Sequence, residues 1–107
     1  MIAVGLMSGT SADGVSVAAI RVDPSTRPGA GRRLKLLACR TFAYPRWLRE
    51  RVLSAGTLRA PELSELNGDL GRFFGSCARK FIGRGRADVI GSHGQTVWHD
   101  PGRPPGP

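Results

Sequence analysis

Two stretches of this sequence gather residue types that bind and orient a polar ligand. The first is Gly5-Leu6-Met7-Ser8-Gly9-Thr10-Ser11-Ala12-Asp13-Gly14-Val15. Gly9 and Gly14 let the backbone turn sharply and approach a ligand with no Cβ in the way. Ser8, Thr10 and Ser11 add hydroxyls, and successive amide N–H groups in such a turn can converge on an anion, so the chemistry on offer is phosphate binding. Asp13 either holds a hydrated magnesium ion or shapes the turn. The second stretch, Ser92-His93-Gly94-Gln95-Thr96, combines hydroxyls, an imidazole and a carboxamide as candidates for contact with a substrate.

Each stretch also has a plainer structural reading. Asp-Gly between two apolar runs is a common hairpin signal, and Ser and Thr are ordinary turn residues. The Gly9 to Gly14 spacing imitates the start of a P-loop, but Val15-Ser16 stands where that motif needs Lys and then Ser or Thr, and the residues that follow read as a strand, not a helix. A P-loop NTPase is excluded on those grounds. His93 alone is compatible with a satisfied structural histidine, and Gln95 and Thr96 with turn capping. His93 and His99 fit no ligand spacing, so a structural metal site is not expected.

The elements that must position these residues follow from periodicity. Ile2 to Met7 and Val15 to Val22 read as two strands flanking the first stretch, paired antiparallel because their connection is short. The cluster from Asp23 to Gly31 reads as a surface turn. Arg33 to Tyr44 makes a third strand, with Leu34, Leu36, Ala38 and Phe42 on one face and Leu37, Cys39 and Thr41 on the other, completing an antiparallel meander. Pro45 opens a helix over Trp47 to Leu53 that runs up to Gly56. Leu63, Leu66, Leu70, Phe73, Phe74, Cys77 and Phe81 recur at helical spacing between Pro61 and Gly83, an apolar stripe read as core and not as a cofactor box. Gly68, Gly71 and Gly75 each lower helix propensity there by up to ~1 kcal/mol, so the helix leans on tertiary packing or closely approaches the sheet. Ala87 to Gly91 is a short buried strand, expected to pair parallel to an earlier strand through a right-handed crossover. Ser92 to Thr96 would then follow its carboxyl end, the edge where α/β sheets bind ligands.

Composition bounds the rest. The chain of 107 residues, 40% hydrophobic, suits one small domain. Its +8 charge comes almost wholly from Arg spread along the chain, Lys35 and Lys80 being the exceptions, and no aromatic cluster interleaves with it. Nucleic acid is therefore not the expected partner. Cys39 and Cys77 form no CxxC spacing and read as buried free thiols of a reducing compartment. The start lacks the features of a signal peptide, and no run approaches the ~18 apolar residues of a membrane span, so the expected location is the cytoplasm, without a membrane partner.

With both stretches in view, the sequence resembles the amino-terminal part of the anhydro-N-acetylmuramic acid kinases. The resemblance rests on Gly5 to Val15 and on Ile90-Gly91-Ser92-His93-Gly94-Gln95-Thr96-Val97-Trp98-His99 followed by Pro101, in the family's order and at about its separation. Ser64-Glu65-Leu66-Asn67 also looks like the family. What the resemblance implies is an α/β fold: part of a ribonuclease-H-like, actin-like ATPase domain, with a three-stranded antiparallel meander, helices and a parallel fourth strand. Residues 1–101 would form that first-domain part, and 102–107 a Pro/Gly-rich end.

The resemblance further implies ATP-dependent phosphorylation of 1,6-anhydro-N-acetylmuramic acid at its sixth position, with water opening the anhydro ring, during cell-wall recycling. ATP and Mg2+ are the implied cofactors. Gly9, Thr10, Ser11, Ala12, Asp13, Gly14, Val15 and Ser16 would bind the ATP phosphates, Asp13 reaching the metal through water, and Ser92, His93, Gly94, Gln95 and Thr96 would face the amino sugar. The full-length protein could form a homodimer. Two positions depart from the family, which commonly has Leu where Ala12 stands and Asp where Ser16 stands. Family members are roughly three times this long, a multi-domain size, and their general-base aspartate and adenosine pocket fall beyond Pro107. No catalytic residue is therefore assigned, and the chain alone is expected not to catalyse and to leave apolar surface and a strand edge uncovered. The competing readings are a non-catalytic nucleotide-binding or interaction module of the same fold and, more remotely, a basic nucleic-acid binder.

Overall fold

Every second residue of the first two apolar runs is buried: Val4 and Leu6 on one, Val15, Val17 and Ala19 on the next. A period of two with one apolar face makes a strand that must lay that face on something. The computed structural model describes residues 1–24 and 33–102. It places these runs in β1 (Ile2–Ser8) and β2 (Gly14–Asp23), which pair antiparallel, and adds β3 (Arg33–Ala43) antiparallel to β2. Two helices follow, α1 (Arg46–Leu53) and α2 (Ala60–Ile82), then β4 (Val89–Gln95), which returns parallel to β1. The sheet order is β3-β2-β1-β4, so the fold is α/β with the expected meander and parallel fourth strand.

Both helices lie on the same face of the sheet. Leu48 and Val52 of α1 and Leu66, Phe74 and Cys77 of α2 share one buried cluster with Val4, Leu6, Val15 and Val17. Pro61 falls in the first turn of α2, where its missing N–H costs no hydrogen bond, and the Glu62 carboxylate accepts the Arg59 N–H at 3.2 Å. Gly83, at φ 55°, ends the helix by donating its N–H to the Arg79 carbonyl. No helix among the described residues is long and apolar enough to cross a membrane.

Five expectations need correction. The fourth strand is exposed and not buried, with Val89 47% and Ile90 51% exposed, because it forms an edge of the sheet. The first helix stops at Leu53, short of Gly56, and a separate 3-10 turn spans Ala55–Thr57. In β3, Ala19 pairs with Ala38 but Ile20 pairs with Leu36, so Leu37 is an extra residue. This one-residue bulge puts the two halves of β3 out of phase, so Leu34 and Leu36 share a face with Val22 and Ile20, opposite to Ala38 and Phe42. Cys39 is exposed, because β3 is an edge strand and no helix among the described residues covers the outer face; only Cys77 is buried. Close approach to the sheet is not what Gly71 and Gly75 provide, since a Cβ at either would meet nothing within 4 Å. The expected turn from Asp23 to Gly31 and the expected end at 102–107 lie largely outside the described residues.

Candidate phosphate loop and strand-end site

Five residues, 9–13, connect β1 to β2, and their backbone builds the loop. The Ala12 N–H donates to the Gly9 carbonyl at 3.1 Å, closing a turn. Ala12 itself has φ 53° and is fully buried. A left-handed Ala costs roughly 1–2 kcal/mol, which its small side chain offsets by filling the core beneath the loop. The Asp13 carbonyl accepts the Tyr44 N–H, tying the loop to the end of β3.

The loop leaves donors free. Thr10, Ser11 and Asp13 are exposed, and among the described residues their N–H groups have no protein acceptor. A Cβ at Gly9 would point into open space, whereas one at Gly14 would stand 2.4 Å from the Phe42 carbonyl oxygen. Gly14 is therefore required by the approach of β3, and Gly9 is the glycine with open room beside it. Val15 is buried in the core, leaving only its backbone to serve a ligand. Ser16 sits on the outer face, its hydroxyl 3.2 Å from that of Thr41.

Asp13 is exposed, with Arg49 of α1 3.6 Å away. Among the described residues no three His, Cys, Asp or Glu side chains gather as a metal cage. A single carboxylate beside a row of free amides suits a hydrated magnesium ion carried by nucleotide phosphates, which keeps most of its own waters. The loop's donor set thus fits MgATP.

The second stretch lies differently from its expected place. β4 runs through to Gln95, so Ser92, His93, Gly94 and Gln95 belong to the strand instead of following it. The reason is local. Leu6 pairs with Ser92 and Ser8 with Gln95, so three steps along β4 match two along β1, and Gly94 takes up the difference at φ 81°. The segment divides between two clefts. His93 opens on the outer face beside Met7, Ser16 and Thr41, in a cleft of about 840 Å³. Gln95 edges a groove of about 610 Å³ between β4 and α2, lined by Leu70, Phe74 and Ile90. Ser92 borders both clefts, and its hydroxyl accepts the Gly94 N–H at 3.3 Å.

Gln95 joins the two stretches. Its side-chain oxygen lies 2.7 Å from the Ser8 hydroxyl and 2.8 Å from the Tyr44 hydroxyl; its side-chain nitrogen donates to the carbonyls of Gly9 at 2.9 Å and Thr96 at 2.8 Å. Ser8 is 2% exposed, and its one hydroxyl proton is shared between the Gln95 oxygen and the Gly14 carbonyl, 2.8 Å away. Burial pushes the Tyr44 phenol above its usual value, against the opposing hydrogen bond with Ser8, so it stays a donor at neutral pH. Sequence reading missed Tyr44 and Arg49. Each meets its partner only across a fold-level contact, and neither stands in a motif.

An antiparallel hairpin with a donor-rich turn, a third antiparallel strand, a helical crossover and a parallel strand beside the first define part of an actin-like ATPase domain. Within that class the comparison is specific: residues 1–105 match the family model described as anhydro-N-acetylmuramic acid kinase, and the chain belongs to that family. It is 39% identical over 102 residues to the anhydro-N-acetylmuramic acid kinase of a Picosynechococcus species, covering 92% of this chain and 26% of that relative. The Synechococcus elongatus kinase of the same name is 41% identical over 101 residues, covering 91% and 26%. That of Xanthomonas axonopodis pv. citri is 38% identical over 110 residues, covering 94% and 28%. The chain spans about a quarter of the length of the curated relatives it matches, so these are nearer four times its length than the expected three.

Proposed function

We propose that the chain is the amino-terminal part of a cytoplasmic ATP-dependent kinase acting on 1,6-anhydro-N-acetylmuramic acid. The product is N-acetylmuramic acid 6-phosphate, formed with ADP as water opens the anhydro ring, a step of peptidoglycan recycling. The observation that carries this reading is the pairing of family membership with a loop whose Thr10, Ser11 and Asp13 amides have no protein acceptor among the described residues.

Bound MgATP supplies the phosphoryl group. The chain's own part is positioning and charge stabilisation, which dominate phosphoryl transfer. The Thr10, Ser11 and Asp13 amides bind phosphate oxygens, Asp13 orients the magnesium through its water shell, and open space at Gly9 admits the phosphate. Ser92 and His93 serve the sugar side. Asp69 is paired with Arg51 and Arg72, and Asp88 with Arg86, and neither is assigned as the base that activates water.

The test is to express the complete reading frame that contains this chain, supply ATP, magnesium and the anhydro sugar, and follow the products by mass spectrometry. Equal yields of ADP and sugar 6-phosphate are expected. Nucleotide binding without a phosphorylated sugar would instead favour a non-catalytic nucleotide-binding module. Turnover by the 107-residue chain unaided would overturn the assignment of the base to another part of the protein.

A further inference from the structure

We propose that Gln95 is a positioning residue: a cross-tie from β4 that fixes the Gly9 end of the phosphate loop, and not a sugar contact. The inference rests on the proposed nucleotide function and assigns Gln95 a specific part in it. A carboxamide can accept two hydrogen bonds and donate two. Three are committed inside the chain, by Tyr44 at the oxygen and by Gly9 and Thr96 at the nitrogen, and the fourth position faces the buried Ser8 hydroxyl, whose one proton is shared with the Gly14 carbonyl. The orientation is fixed by chemistry, because the flipped amide would set its oxygen against two carbonyl oxygens. Both donors are taken, and the one acceptor position not filled outright faces the buried Ser8 hydroxyl and not a cleft open to a sugar hydroxyl.

The tie bears on the loop at one atom. The Gly9 carbonyl accepts both the Gln95 side chain at 2.9 Å and the Ala12 N–H at 3.1 Å, the bond that closes the turn. The Gly94 bulge is what aims Gln95 there, since Ser8 and Gln95 become neighbours only through the extra step in β4. Anchoring the loop from the adjacent strand keeps the Thr10, Ser11 and Asp13 amides preset, so their ordering is not charged against phosphate binding.

The test uses the protein expressed from the complete reading frame, labelled for NMR, with Gln95→Met as a near-isosteric apolar replacement and Gly94→Ala as a second variant that keeps the amide but strains its backbone. In the wild type, the two Gln95 side-chain N–H signals should be resolved and slow to exchange. In both variants, exchange of the Ala12 amide should rise by about tenfold or more, matching one to two lost hydrogen bonds. Amides around Val4 and Ala19 should be unchanged, and MgATP, titrated at the loop signals, should bind about tenfold more weakly. A uniform rise across the sheet, or no change at Ala12, overturns the cross-tie. If Ala12 accelerates while wild type ignores MgATP, the tie stands and the nucleotide reading falls. If wild type binds MgATP and the Gln95→Met variant changes neither quantity, the reverse holds.

Discussion

Asp88 and Ile2 are joined twice: the Asp88 N–H donates to the Ile2 carbonyl at 2.8 Å, and the Ile2 N–H donates to the Asp88 carboxylate at 2.7 Å. The pair fixes where β4 meets β1, 86 residues apart in the chain. It therefore sets the register that later brings Gln95 to Ser8.

The bond from Ile2, and after it the Arg86 guanidinium, hold the Asp88 carboxyl below the usual carboxylate range. A carboxyl depressed on folding contributes stability above its unfolded pKa of about 3.9 and loses it as pH falls through the lower folded value. Urea midpoints should show an Asp88-dependent fall beginning near pH 4 and continuing below it. Asp88→Asn should remove that component and leave the neutral-pH register of β4 intact, since its side-chain oxygen still accepts from Ile2. An identical acid limb in the two proteins would refute the assignment.

The two loop glycines should separate stability from binding. A methyl at Gly14 must displace the Phe42 carbonyl, so Gly14→Ala should cost about 1–3 kcal/mol in urea unfolding. Gly9→Ala meets open space and should change stability by less than ~0.5 kcal/mol. It should nonetheless weaken MgATP, because the methyl occupies room the phosphate uses. Equal stability losses at both sites would contradict the geometry.

Much of this was legible in the sequence, for identifiable reasons. The apolar runs from Ile2 to Met7 and from Val15 to Val22 marked the first two strands, and the helical stripe through Leu66, Phe74 and Cys77 marked core, which the shared cluster bears out. These signals are local and periodic. What escaped was single-residue irregularity. Leu37 inserts one residue into β3 and reverses the face of Leu34 and Leu36, and Gly94 inserts one into β4 and draws Ser92 to Gln95 into the strand. Neither bulge alters composition or period enough to be read beforehand. Tyr44 was missed because its partner, Gln95, lies 51 residues away.

Cys39 was misread as buried because alternation says which face a residue occupies and not whether anything covers that face. The thiols should now differ in reactivity. Exposed Cys39 should label with a disulfide reagent about a hundredfold or more faster than Cys77, whose thiol is buried and pushed up in pKa by burial, with little thiolate at neutral pH. Quantifying labelled peptides with and without urea checks this. Equal rates in the folded chain would place Cys77 outside the core.

The glycines of α2 give a prediction whose sign distinguishes two uses of a small residue. If Gly71 and Gly75 were small because the sheet presses on them, alanine would be destabilising by overpacking. The structure has an open groove there: Gly71 and Gly75 line it together with Leu70 and Phe74, and an added Cβ meets no atom within 4 Å. Helix propensity then decides, and Ala is favoured over Gly by roughly 0.8–1.0 kcal/mol in a helix interior. Gly71→Ala and Gly75→Ala should each raise the stability of this chain by about 0.5–1 kcal/mol in urea unfolding. The neighbouring Leu66→Ala, made at a residue 2% exposed, should lose about 2–5 kcal/mol. Opposite signs on one helix would show that its stability comes from the stripe facing β1 and β2. Destabilisation by both glycine replacements would mean that the groove is closed in solution, with the helix seated closer to β4 than the structure shows.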